Sequence, residues 1–359
     1  MAEIWGVLAG RDASSDTRRG GRVVADDRAE RGRLLADGGI RGDRILVLNP
    51  VSGNGDHREE VRRLADRAGF TVLETHASGE AVAFGRLAAA AGAEFVVAAG
   101  GDGTVNEVAR GLDAADALGE VTFGVVPTGT GNNFAGNLGI ESVEHAFELL
   151  ADGERRRIDV ATATEGETGP ENETEPEDEE AAELFLNSCI AGLTAEASAS
   201  TSPELKDRLG VLAYVVTGLR TVREFDALPL AVEADCPGTE KTWTGDAVMV
   251  LVGNARRFPT EGRSQANCED GLLEVTIIER MPPADLLQEA AVHRLFGDET
   301  EHVTTLLASE LRVDVRRDDP VGFSFDGETA EYDSLTMETR ERAVEIPVGE
   351  GYEPDPEPK

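Results

Sequence analysis

Lysine is nearly absent from this chain: of its 34 basic residues only Lys206, Lys241 and Lys359 are lysine, and none precedes position 206. No GxxxxGK[ST] loop can be written from such a sequence, which excludes a Walker-type nucleotide hydrolase. Cysteine is scarce too. Cys189, Cys236 and Cys268 lie far apart with no CxxC pair, so neither a disulfide framework nor a thiolate zinc site is available, and reduced core residues are expected. The five histidines, His57, His76, His145, His293 and His302, show no ligand spacing. Long apolar runs are missing: stretches such as Ala247 to Val252 fall well short of the ~20 residues that a membrane span requires. The amino terminus has no apolar signal core. A soluble, cytoplasmic protein is expected.

What the chain has in excess is acid. Seventy Asp and Glu against 34 Lys and Arg give a formal charge of -36 over 359 residues. That field repels nucleic acid and anionic membranes alike, so no nucleic-acid partner is expected and any lipid contact must be local. Such a surface stays soluble when salt screens its self-repulsion, which reads as adaptation to a high-salt cytoplasm. The length suits two domains. Residues 1–43 are glycine-rich with little periodicity and read as a flexible leader. Glu165 to Glu183 holds ten acids in 19 residues without a base and reads as a solvated excursion.

From residue 44 strand and helix alternate. Ile45 to Leu48, Phe70 to Glu74, Phe95 to Ala99 and Val121 to Val126 read as strands. Val61, Leu64, Ala65 and Ala68, then Glu80 to Ala91, then Val105, Val108, Ala109 and Leu112 have helical spacing, as does Ser142 to Leu150 with Ser142 as N-cap. The alternation predicts an α/β domain with a parallel sheet over 44–160. Beyond it Leu184 to Cys189, Leu228 to Ala234, Ala247 to Gly253, Leu272 to Ile278, Glu310 to Val315 and Val321 to Phe325 are strand-like. They predict an antiparallel β-sandwich over 161–330, interrupted by helical stretches at Pro203 to Val222 and Pro283 to Leu295. Residues 331–349 are expected to return to the first domain, and 350–359 to form a flexible tail.

The third strand empties into Gly100-Gly101-Asp102-Gly103-Thr104 and a helix follows at once. Glycines there let a bulky anion approach the main chain, and the N–H groups of the turn and helix start point at it, so the turn is shaped for phosphate. Asp102 within that nest would repel phosphate unless a divalent cation or a proton lay between, and the combination implies Mg²⁺-nucleotide. Asn49 to Gly55 and Thr128 to Asn133 also follow strands, and in a parallel sheet all three loops emerge at the carboxyl edge, where ligands bind.

Asn49-Pro50-Val51-Ser52-Gly53, Gly100 to Glu107 and Pro127 to Ala135, in this order and spacing, resemble the catalytic domain of the diacylglycerol kinase and sphingosine kinase superfamily, especially its bacterial-type soluble lipid kinases. The likeness spans about residues 44–348 and includes Phe185-Leu186-Asn187, Gly192, Leu209-Gly210, Tyr214, Gly253-Asn254, Glu269 to Glu274 and Asp326-Gly327-Glu328. It implies a Rossmann-like first domain of the NAD-kinase and diacylglycerol-kinase type, ATP in the cleft between domains, and Mg²⁺. By resemblance the nucleotide is held by Asn49, Ser52, Gly53, Thr75, Gly100, Gly101, Asp102, Gly103, Thr104, Val105, Asn106, Thr128, Gly129 and Thr130. Asp102 organises Mg²⁺ and the phosphates, and Glu328 is the general base for the acceptor hydroxyl. Glu269, the Leu272 carbonyl and Glu274 stand at a second, structural Mg²⁺ site, with Glu where Asp is commoner.

Other readings stay open at this level. Asp326-Gly327 is also a plain hairpin signal, and Glu269 to Glu274 a turn before a strand. Arg256 and Arg257 stand before a loop that could grip a head group or lie solvated. The Leu209 to Val222 stripe fits a core helix better than a membrane contact. A lipid or lipid-like alcohol is the implied substrate, and both transient contact with a membrane surface and a homodimer are compatible with it. The alternatives are an NAD-kinase-like phosphotransferase and a non-catalytic nucleotide-sensing module.

Overall fold

The run Ile45–Leu48 has no exposed surface at all, and Val96–Ala99 has none either, which is what a parallel sheet covered on both faces demands of its strands. In the computed structural model, which describes residues 43–166, 182–192, 227–257, 265–280 and 302–356, these runs form β1 (Arg44–Leu48) and β3 (Phe95–Gly100). They pair in parallel with each other, β1 also with β2 (Thr71–Glu74) and β3 also with β4 (Thr122–Pro127), in the order β2-β1-β3-β4. Helices α1 (Arg58–Arg67), α2 (Glu80–Ala90), α3 (Asp102–Asp113), α4 (Asn133–Asn137) and α5 (Val143–Asp152) complete this half. Ser142 caps α5 by accepting from His145 N at 3.1 Å. Helices α2 and α3 cross closely because both carry glycine at the contact: a Cβ on Gly85 would lie 2.5 Å from the Val108 carbonyl. That crossing fixes where α3 runs.

The second half is antiparallel, built from β6 (Glu183–Phe185), β7 (Ser188–Gly192), β8 (Leu228–Cys236), β9 (Thr239–Gly253), β10 (Leu273–Glu279), β11 (Val303–Ala308), β12 (Glu310–Val315), β13 (Val321–Phe325) and β14 (Glu328–Tyr332). Its core gathers Phe185, Leu230, Val250, Ile277, Phe323 and Met337, among others. The stretch read as one strand over Leu184 to Cys189 is broken in two. Leu186 and Asn187 bend out because their amide groups are taken by Asp326, at 2.7 and 3.1 Å.

Two long strands join the halves. β5 (Glu154–Glu165) pairs with β15 (Ser334–Val348) from Glu154↔Val348 to Glu165↔Leu335. β15 also continues the first sheet, through Glu345↔Thr122 on β4, and the second, through Glu310 to Asp314 on β12. The boundary expected near residue 160 therefore falls inside β5, and one sheet of 15 strands runs through both halves. Neither long strand is legible as a single run, since β5 is buried in its middle and exposed at its ends, while β15 is buried at both ends and polar and exposed in its middle. The leader up to residue 42, residues 167–181 of the acidic excursion, both helical stretches of the second half with Leu209, Gly210 and Tyr214, and Phe258 to Arg263 lie outside the described residues.

Candidate functional site

The three loops do meet at the carboxyl edge of the parallel strands. Asn49 leaves β1 with its amide bonded to the Ala99 carbonyl at 2.8 Å, and its Nδ2 donates to Thr104 Oγ1 at 3.0 Å. Ser52 Oγ lies 2.8 Å from Thr128 Oγ1 and donates to the Asn49 carbonyl at 2.9 Å. Thr128 N donates to the Gly100 carbonyl at 3.0 Å, and Thr75 N to the Leu48 carbonyl at 2.9 Å. Each loop is thus tied to the next.

Glycine makes that closeness possible. Gly53 has φ +58°, and a Cβ there would stand 2.6 Å from the Thr128 carbonyl; on Gly129 it would stand 2.5 Å from Gly101 Cα. Main chain therefore lies against main chain across Gly101 and Gly129, and a ligand placed over them meets amides rather than side chains. Gly103 has open space where its Cβ would be. Thr104, Val105 and Asn106 are buried, while Thr130 is exposed at the rim.

Asp102 has a role the sequence did not disclose. Its carboxylate accepts from Asn133 N at 3.1 Å, Asn133 Nδ2 at 3.3 Å and Phe134 N at 3.0 Å. It therefore bolts the third loop to the second. Those three bonds fill most, not all, of the carboxylate's roughly four acceptor positions, so a cation shared with phosphate oxygens still fits beside it.

Asn106, expected at the nucleotide, reaches the other way. It is buried and its Nδ2 donates to the Leu184 carbonyl at 2.8 Å and to Asp326 Oδ2 at 2.9 Å. Asp326 also accepts from the amides of Leu186, Asn187 and Ser188. Burial outweighs these bonds and holds its carboxyl above the ordinary range. The turn that follows is the hairpin its sequence suggested, with φ +49° at Asp326 and +104° at Gly327, joining β13 to β14.

Glu328 opens β14, half-exposed. Arg110 Nη1 lies 2.5 Å from its Oε2, while Arg110 Nη2 lies 3.2 Å from Glu183 Oε2. Glu107 faces it as well: burial raises the Glu107 carboxyl, an amide bond from Gly79 opposes this, and the Glu328 charge adds to the rise. Glu107 closes the glycine-turn motif but was given no role from the sequence, and Arg110 was not singled out. The signal for Arg110 was the spacing 102, 106, 110 along a helix that begins in the phosphate-shaped turn.

The second magnesium site is not assembled as expected. Glu269 is forked by Arg156 at 2.9 and 2.8 Å and also accepts from Tyr352 Oη at 2.8 Å. Glu274 is forked by Arg257 at 2.6 to 2.9 Å. Each of the two carboxylates thus faces a separate guanidinium group rather than its expected partner. Among the described residues no group of three or more His, Cys, Asp and Glu is gathered for a metal. Asp270, between them, has its carboxyl pushed up to about 6, by burial first and then by Asp159 and Glu274. Arg257 is neither solvated nor turned to a head group; its side chain is 13% exposed in that pair.

No helix among the described residues is long and apolar enough to cross a membrane. Residues 43–163 match the diacylglycerol kinase catalytic domain, and 187–348 match the YegS C-terminal NAD kinase beta sandwich-like domain. A protein of Yersinia enterocolitica named "Probable lipid kinase YegS-like" is 29% identical over 84% of this chain and 95% of its own. Its namesake from Yersinia pestis is 30% identical over 79% of this chain and 89% of its own. The crystal structure of a diacylglycerol kinase from Bacillus anthracis superposes with a TM-score of 0.60, at 18% identity, over 87% of this chain and 98% of that one, which shows the shared fold. With both domain matches and the relatives' full-length overlap in hand, the chain belongs to the YegS-like lipid kinase family.

Proposed function

We propose that this chain transfers the γ-phosphoryl group of ATP, with Mg²⁺, to a hydroxyl of diacylglycerol or a related lipid alcohol. The observation that carries the reading is helix α3: its first turn belongs to the glycine cradle, and Arg110 further along it contacts the one half-exposed carboxylate of the Asp326-Gly327-Glu328 turn. A phosphate-shaped loop and a candidate base thus converge from the two halves of the chain. When bound, Mg²⁺ would neutralise phosphate charge beside Asp102.

In this reading the main-chain amides around residues 100–104 and 128–130 orient the triphosphate, and Asp102 keeps the two loops in register. Glu328 takes the proton of the acceptor hydroxyl as its oxygen bonds to the γ-phosphorus and the bond to the departing diphosphate oxygen breaks. The protein's part is positioning and charge neutralisation rather than covalent chemistry.

Labelled ATP offered with diacylglycerol, an archaeal-type glycerol ether, a sphingoid base or NAD tests the reading. Lipid phosphorylation is expected, with Glu328→Gln slower by roughly a hundredfold or more. Phosphorylation of NAD alone, or near-normal turnover in a well-folded Glu328→Gln, would refute it.

A further inference from the structure

Glu328 stands at an exposed place for a group that must be held still. Among the described residues β14 ends the sheet path and pairs with β13 alone, and the Glu328 side chain is 42% exposed. β13 sends Val321, Phe323 and Phe325 into the core, but β14 itself is half-exposed along its length. The residue two places before it is fastened by four donors, from Asn106, Leu186, Asn187 and Ser188. Those bonds fix the turn's backbone but leave the Glu328 side chain to be fixed separately.

Arg110 supplies that restraint. It projects from a helix with no room to shift: Val108, Ala109 and Leu112 around it are fully buried, and Gly111 abuts the Val82 carbonyl of α2. Its fork spans two carboxylates from different strands, Glu183 on β6 at 3.2 Å and Glu328 on β14 at 2.5 Å. Glu107, one turn earlier, faces the same carboxylate from the helix side. The charged groups around Glu328 are therefore Arg110 and Glu107 from α3, Glu183 from β6 through the shared arginine, and Asp326 within its own turn.

We propose that Arg110 is a positioning residue for phosphoryl transfer: braced on Glu183, its guanidinium sets the Glu328 carboxylate relative to the glycine cradle at the start of the same helix. This rests on reading Glu328 as the base. A guanidinium suits the task because its planar fork reaches two acceptors in fixed geometry, whereas an ammonium is a single point charge. A half-exposed pair contributes little to folding, while misplacing a reacting group by about 1 Å costs on the order of a hundredfold in rate. The two roles therefore separate in measurement.

The test takes full-length wild type, Arg110→Gln, Arg110→Lys and Glu328→Gln, assayed on whichever of the four acceptors above the wild type phosphorylates fastest. Arg110→Gln is expected to lower kcat by roughly 10- to 100-fold, with KM for ATP within about threefold and the melting temperature within about 2 °C. Arg110→Lys should recover part of kcat. Turnover by Arg110→Gln within about threefold of wild type, while Glu328→Gln is inactive, would overturn the role of Arg110 and leave the base in place. A kcat loss equal in both Arg110 variants and accompanied by a clear fall in melting temperature would make the residue structural and equally overturn the proposal. Full turnover by Glu328→Gln, or none by the wild type on all four acceptors, would instead bring down the underlying reading, and this inference with it.

Discussion

Asn106 and Asp326 are 220 residues apart in sequence and 2.9 Å apart in space, Nδ2 to Oδ2. The same amide also holds the Leu184 carbonyl at 2.8 Å, so one buried side chain on α3 joins the glycine-loop helix to the second half of the chain. Removing it takes the side-chain donor from the Leu184 carbonyl and one of four donors from the buried Asp326 carboxylate. Asn106→Ala is expected to cost about 2–3 kcal/mol in chemical denaturation. A loss under about half a kcal/mol would mean that the junction is held elsewhere.

Asp102 invites a split between two of its roles. As a clamp it accepts the Asn133 amide on Oδ2 and the Phe134 amide on Oδ1, and asparagine keeps an acceptor for one of the two. As a charge beside a cation it has no neutral substitute. Asp102→Asn should therefore stay within about 1 kcal/mol of wild-type stability yet lose most phosphoryl transfer, while Asp102→Ala loses both. Wild-type turnover in Asp102→Asn would leave the clamp as its whole contribution.

The Arg257 and Glu274 side chains, 13% and 15% exposed, form a forked pair. Deleting the arginine alone leaves a carboxylate with its main partner gone in a mostly dry place. Arg257→Ala is expected to destabilise by about 3 kcal/mol, and pairing it with Glu274→Met to return much of that loss. Strictly additive single and double changes would contradict the coupling.

Burial, chiefly, and the nearby Glu328 charge raise the Glu107 carboxyl in the folded state. Its contribution to stability is then fully present below the unfolded value of about 4.3 and is lost as pH rises through the higher folded value. Glu107→Gln removes the ionisation while keeping an oxygen for the Gly79 amide. The variant should melt above wild type at pH 8, by about half a kcal/mol for so screened a group, with the gap closing toward pH 4. Melting curves that stay parallel across this range would show that Glu107 is not the group responsible.

Much of the first half was legible in the residues because the strands there are short, mostly apolar runs alternating with stretches of helical spacing, and period alone marks such elements. Glu310 to Val315 and Val321 to Phe325 were legible for a similar reason, alternating in a sheet with one face in the core. β5 was not. Its first residues, Glu154-Arg155-Arg156-Arg157, are a charged run whose pairing strand is β15, nearly two hundred residues away. The glycine loops were readable as a cradle, since their chemistry is local. The fates of Glu269, Glu274, Asn106 and Arg110 depended on which distant side chain arrived opposite them, and neither period nor motif spacing encodes that.

The ribbon of β5 and β15 changes what opening and closing of this molecule can mean. Their register shifts between Arg340 and Val344, and Arg342 there has φ +49°. Hydrogen-bonded strands do not swing like a tether; they twist. The two halves are therefore joined by paired backbone rather than by a lone linker, and cutting the chain in the ribbon would expose raw sheet edges on both fragments instead of releasing two working parts.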